Sequence, residues 1–261
     1  MDNLNKTNQL LEDGVFKFKN RYIIYSLKKK DSNKLFIVFS GLDSTPGFTR
    51  MSYYGLRDTL DGNVLHIKDN FGAHGCYLLN ISGDNQIRNV VLALIREALL
   101  QLNISKENLY LVGTSKGGTT ALAFGMMLGF GNIIAGEPQI KIGDFLFGKG
   151  WETAEYFKSI AYAMLGRIKD EDREPLNNKF EEIIKQYGSR FKGNVEILTG
   201  LNTLYLENHI NYFIKYAKEN GIKDSAISIK TLDIDKHDDI VEPFLRKLDE
   251  FSLNYTSSIS C

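Results

Sequence analysis

The sequence predicts a single α/β domain of α/β-hydrolase-like kind: a mainly parallel central sheet, helices on both faces, and a helical lid inserted late in the chain. Three observations predict it. Short apolar runs alternate with amphipathic stretches along most of the 261 residues, the rhythm of strands joined by crossover helices. One such run enters a glycine-flanked serine, Gly113-Thr114-Ser115-Lys116-Gly117, and a helix rich in small residues leaves it, which is the strand–turn–helix setting of a nucleophile elbow. From about residue 143 to 192 the alternation stops, and two helical stretches follow one another with no apolar strand between them.

Each element has its own signal. Phe16 to Leu27 alternates and is rich in β-formers, so it reads as an antiparallel hairpin. Leu35-Phe36-Ile37-Val38-Phe39 is a compact apolar run suited to a buried strand, and the turn-rich loop Gly41 to Gly47 follows. Val64-Leu65-His66-Ile67 is a further strand, ended by Lys68-Asp69-Asn70. From Asn85 to Leu102, residues Ile87, Val90, Val91, Leu94, Leu99 and Leu102 recur at helical spacing. Asn108 to Val112 is the strand before the serine, and Gly118 to Met127 the helix after it. Asn132 to Gly136 is a strand closed by Glu137-Pro138-Gln139. Trp151 to Lys169 and Glu174 to Tyr187 are the helices of the insertion. Most of its aromatic residues (Phe145, Phe147, Trp151, Tyr156, Phe157, Tyr162) are expected to pack it onto the core. The alternation resumes with the strand Val195 to Thr199, a helix from Leu206 to Asn220, the strand Ala226 to Lys230 and a last helix from Ile240 to Leu253. No internal repeat, low-complexity tract or linker marks a second domain, so residues 1–261 read as one.

Composition excludes several classes. Lys+Arg and Asp+Glu balance at 32 each, which argues against nucleic acid as the main partner, because phosphate binding draws on a basic excess. The run Lys28-Lys29-Lys30 reads as a solvated strand end. Cys76 and Cys261 are the two cysteines, too few for a disulfide framework, and a reducing compartment follows. The segment Met1 to Lys6 leads into no apolar signal core, and no stretch approaches the ~20 apolar residues of a membrane span. A cytoplasmic protein without an integral membrane segment is expected.

The serine carries the chemistry. A Walker-type loop needs G-x-x-x-x-G-K-[ST], and Lys116 stands on the wrong side of Ser115 for that. A serine hydroxyl needs a base, and in this fold the chain order is serine, acid, histidine. His66 and His74 precede Ser115, His209 lies in a helical stretch, and His237 follows the last strand, so His237 is the expected base. The acid belongs after the strand ending at Thr199, where Asn202 and Thr203 stand in the usual aspartate positions. Glu207 lies slightly further on and is the leading candidate. Asp235, Asp238 and a Ser–His dyad with no acid are the alternatives. An oxyanion hole needs two aimed N–H groups: one from Lys116, the other from Gly41 or Leu42. The Lys116 side chain is read either as a cation near the site or as pointing to solvent.

Leu111-Val112-Gly113-Thr114-Ser115-Lys116-Gly117-Gly118, then Asn132-Ile133-Ile134-Ala135-Gly136-Glu137-Pro138-Gln139, then His237-Asp238 resemble bacterial surface-glycan O-acetyltransferases of α/β-hydrolase fold. These include capsular polysaccharide O-acetyltransferases and the related accessory-Sec glycoprotein O-acetyltransferase. The resemblance runs from about Leu35 to Phe251. It implies transfer of acetyl from acetyl-CoA to a sugar hydroxyl of a polysaccharide or oligosaccharide through an acetyl-serine, with Ser115 as nucleophile, His237 as base and no metal. The capsule enzymes carry an aspartate where this chain has Asn202 or Thr203. The accessory-Sec relative uses a glutamate spaced from its histidine much as Glu207 is from His237, which favours Glu207. A carboxylesterase or deacetylase of the same fold is the alternative, and a non-catalytic glycan-assembly protein the second.

Overall fold

Among the described residues, eight strands form one sheet in the order β1-β2-β4-β3-β5-β6-β7-β8. A computed structural model describes residues 9–47, 50–148 and 150–253; the Met1 to Lys6 segment and Cys261 lie outside the described residues. The strands are β1 (Asp13–Phe18), β2 (Arg21–Lys28), β3 (Leu35–Phe39), β4 (Asn63–Ile67), β5 (Leu109–Thr114), β6 (Asn132–Gly136), β7 (Asn194–Gly200) and β8 (Ile227–Leu232). The hairpin β1–β2 joins β4 antiparallel, and every pairing from β4 to β8 is parallel. Parallel strands need crossovers that cover both faces, and accordingly β3, β4 and β5 are buried at every position.

The helices are α1 (Leu56–Thr59), α2 (Ile87–Gln101), α3 (Lys116–Leu128), α4 (Ile142–Leu146), α5 (Glu155–Leu165), α6 (Arg173–Tyr187), α7 (Asn211–Glu219) and α8 (Val241–Leu253). The larger apolar cluster takes in α2, α3, α6 and α7; the smaller one, on the other face, is closed by α1 and α8 through Leu56, Phe244 and Leu248. Helix α3 is buried along its whole length, which its small residues permit.

The region expected as a lid at 143–192 divides in two. Helix α6 buries Leu176, Phe180, Ile183 and Ile184 in the larger core, so it serves as the crossover from β6 to β7. Helices α4 and α5 lie toward the opening at the strand ends, where Phe145, Tyr156 and Phe157 line a cleft. Phe147 stacks on Trp151 with ring centroids 3.9 Å apart, while Tyr162 is exposed. Among the described residues no helix is long and apolar enough to cross a membrane.

Candidate active site

The site stands on the carboxyl ends of β5, β6 and β8. Ser115 follows β5 with φ 54° and ψ −124°, a strained conformation for a residue with a side chain. Its turn is sharp because both flanking glycines meet backbone. A Cβ on Gly117 would lie 2.4 Å from the Phe39 carbonyl oxygen, and one on Gly113 would lie 2.5 Å from the Gly117 carbonyl carbon. The Ser115 N–H donates to the Gly136 carbonyl at 2.8 Å, which anchors the turn to the end of β6. The side chain of Ser115 opens into a cleft of about 640 Å³, also lined by Tyr53, Tyr205, Asp238 and His237.

His237 comes from the loop after β8 and begins the turn that leads into α8. Its Nδ1–H donates to Oε2 of Glu137 at 2.5 Å. The ring lies flat on Tyr205, centroids 4.4 Å apart and planes 8° from parallel. With Nδ1 committed, Nε2 is the nitrogen left to face a serine hydroxyl. Glu137 is the first residue past β6, fully buried, with φ 41°. Its N–H donates to the Leu198 carbonyl at 2.9 Å. Its other carboxylate oxygen accepts from the Gly200 N–H at 3.0 Å and from the Thr203 hydroxyl at 2.5 Å. A buried carboxylate requires such partners, and here both oxygens have them.

This differs from the sequence reading at the acid. Glu207 is exposed and sits in a single π turn, Leu206–Ile210, away from the Nδ1 side of the imidazole, which Glu137 occupies. Asp235 and Asp238 are exposed as well, and Asp235 accepts from the Asn202 amide at 2.7 Å. Thr203, standing where an aspartate was expected, instead supports Glu137. The sequence did contain the signal. Glu137 lies between Ser115 and His237 in chain order and ends the strand next to the nucleophile's own, but Glu137-Pro138-Gln139 reads equally well as a plain strand closure.

The other expected positions fall as follows. Gly41 and Leu42 both line the cleft, and the Gly41 N–H is already given to Ser52 Oγ at 2.9 Å, which leaves Leu42 as the better-placed donor. Lys116 opens α3 directly after Ser115, and the first N–H groups of a helix have no partner within it. The Lys116 side chain neither approaches the cleft nor points to solvent. It is buried, and its Nζ donates to Asp69 Oδ2 at 2.6 Å; Asp69 also accepts from the Cys76 N–H. His209 is buried with Nδ1 accepting from the Lys141 N–H at 3.2 Å. His66 is buried on β4 with Nε2 on the Tyr53 carbonyl, and His74 bonds the Asp43 carbonyl. Burial pushes the rings of His66 and His209 down to about 4, so both remain neutral. Among the described residues no group of three or more His, Cys, Asp or Glu side chains forms a metal-holding cluster.

No protein-family model matches the chain, and no curated protein matches it by sequence. Solved structures do. A capsule O-acetyltransferase of Neisseria meningitidis serogroup A superposes with a TM-score of 0.73 at 21% identity, over 95% of this chain and 98% of that one. A mutant of that enzyme in complex with CoA gives 0.73 at 24% identity, over 93% and 95%. A chain of the Gap123 glycosylation-associated complex from Streptococcus agalactiae gives 0.72 at 20%, over 92% of this chain and 46% of that one. The fluorophosphonate-binding serine hydrolase FphF of Staphylococcus aureus gives 0.61 at 12%, over 88% and 92%. The chain has the α/β-hydrolase fold. In that fold the elbow serine is followed in chain order by an acid and a histidine, an order that Ser115, Glu137 and His237 keep.

Proposed function

We propose that the protein is a serine-dependent O-acetyltransferase that moves acetyl from acetyl-CoA to a hydroxyl of a capsular or other surface polysaccharide, or of an oligosaccharide precursor. The observation that carries the reading is one cleft holding a strained serine and a histidine whose far nitrogen is bound to a buried glutamate. The choice of acetyl-CoA and of a sugar is supported by likeness to capsule O-acetyltransferases, one of them in complex with CoA.

In this mechanism Ser115 Oγ attacks the thioester carbonyl and His237 Nε2 takes its proton. Glu137 holds the imidazole in the tautomer with Nδ1–H and stabilises the charged ring that forms. The backbone N–H groups of Lys116 and Leu42 receive the oxyanion. The C–S bond breaks, the thiolate leaves with the proton from His237, and acetyl-Ser115 remains. A sugar hydroxyl then gives its proton to His237 as its oxygen attacks, the C–Oγ bond breaks, and Ser115 recovers the proton. The rings of Tyr53, Phe145, Tyr156 and Phe157 around the cleft offer flat apolar faces for an acceptor. A cytoplasmic location fits this donor.

Intact-protein mass after mixing with acetyl-CoA tests the reading. A gain of one acetyl group that is absent in Ser115→Ala is expected, with CoA release accelerated by the glycan. CoA release at one rate with and without glycan would make the protein a hydrolase instead.

A further inference from the structure

Gln139 is the polar residue of the Glu137-Pro138-Gln139 segment to which the mechanism above gives no task, and its side chain is fully buried. Its Nε2 lies 2.6 Å from Ser115 Oγ. Its Oε1 accepts from the Tyr77 hydroxyl at 2.5 Å, and its backbone N–H donates to Thr119 Oγ1 at 2.7 Å. The Tyr205 hydroxyl lies close to both Gln139 and Ser115. The amide is therefore held at both ends, in a place where water does not compete.

Resting on the reading of Ser115 as nucleophile, we propose that Gln139 is a catalytic residue: its Nε2–H stabilises negative charge on Ser115 Oγ, both when that oxygen attacks and when it departs.

Two features support this. The first is orientation. An amide presents a donor or an acceptor according to which way it is turned. Tyr77 is fully buried, and burial pushes its phenol well above the ordinary range, so it keeps its proton and can give it to Oε1. That leaves NH₂ aimed at Ser115. Oγ then accepts from Gln139, and its own proton is free to turn to His237. Were the amide reversed, it would accept the serine proton and draw it from the base. The second is charge. Oγ carries alkoxide character twice in each cycle: as the Oγ–C bond forms with the proton passing to His237, and as that bond breaks with the proton returning. A fixed neutral donor at 2.6 Å serves both steps, keeps its own protons throughout, and is distinct from the donors aimed at the carbonyl oxygen.

The test is single-turnover acetylation of Ser115, followed by intact mass, with acetyl-CoA and separately with an activated acetate ester as donor. Gln139→Leu is expected to slow acetylation about 10²- to 10³-fold with either donor, the scale of losing one aimed donor in an active site, while the apparent KM for acetyl-CoA stays within a few-fold. Gln139→Glu keeps the shape but presents a carboxylate. Its rate should peak at lower pH than the wild type, where a protonated side chain donates again. Tyr77→Phe frees the amide to turn and should cost about ten-fold. Tyr205→Phe keeps the stacked ring and should stay well above Gln139→Leu. Folded Gln139 variants acetylated at the wild-type rate with an unmoved pH optimum would overturn the proposal. If neither folds, a wild-type rate in Tyr77→Phe overturns it. Wild-type protein acetylated by neither donor would remove the nucleophile itself, and this inference with it; wild type acetylated by the ester alone would reject only the thioester donor.

Discussion

Glu137 and Glu207 make opposite demands on one experiment. Glu137 is buried, binds the imidazole at 2.5 Å and is supported by Gly200 and Thr203, whereas Glu207 is exposed. Glu137→Gln should lower kcat about 10²- to 10⁴-fold by favouring the wrong tautomer, and Glu207→Gln should change it less than three-fold. Steady-state rates on the two variants decide, and equal losses would sink the assignment. Of the residues the proposed mechanism uses, Ser115 and His237 were singled out by the sequence because the elbow and the loop after the last strand are fixed by fold and chain order. Glu137 was not, because a carboxylate after a strand looks the same in sequence whether it turns to solvent or to a ring brought from 100 residues away. Thr203 was misread for a related reason: a hydroxyl in the usual acid position looks like a loss until the carboxylate it supports is seen.

Helix α3 and the elbow before it meet their surroundings at two tight places. At the first, Gly117 passes the Phe39 carbonyl so closely that a Cβ would lie 2.4 Å away. Gly117→Ala should therefore lower stability by about 1–3 kcal/mol, read as a fall in the urea midpoint, and should reduce activity further by displacing Ser115. An unchanged midpoint would mean that the strand β3 yields. At the second, Lys116 and Asp69 form a buried ion pair that ties the chain after β4 to the start of α3. Lys116→Met should cost about 3–5 kcal/mol because it strands a buried carboxylate. Adding Asp69→Asn should recover part of that loss. A double variant no more stable than the single one would argue against an uncompensated charge as the cause. The strands and helices themselves were largely legible, since compact apolar runs mark the central strands and helical spacing marks helices such as α2. The split of the insertion into a crossover, α6, and a cleft-lining pair, α4 and α5, was not. An amphipathic helix shows the same stripe whether it covers the sheet or the opening.

Across the whole molecule, two buried histidines make stability depend on pH. His66 and His209 have folded values near 4, below the ordinary ~6.5, so the unfolded chain binds more protons between those limits. Stability is fully present above about 6.5 and is lost as pH falls toward 4, on the order of 2 kcal/mol per ring between pH 7 and pH 5. Urea titrations at the two pH values check this. His209→Gln, whose side-chain oxygen can still accept from the Lys141 N–H, should shrink the difference by about half. A loss identical to the wild type's would show that other groups titrate. The sheet order has a different effect on the molecule's future. Thr114 pairs with Gly136 across neighbouring strands, so the proposed nucleophile, Ser115, and the proposed acid, Glu137, leave adjacent rails of one scaffold. In that mechanism the stretch beyond β7 supplies no reacting group; Thr203, bonded to Glu137, and Tyr205, stacked on His237, tie it to the site. Leu201, Asn202 and Leu204 stand there in the open, at liberty to drift. On the proposed mechanism, descendants of this chain can refashion that rim to suit a new acceptor while turnover is inherited intact.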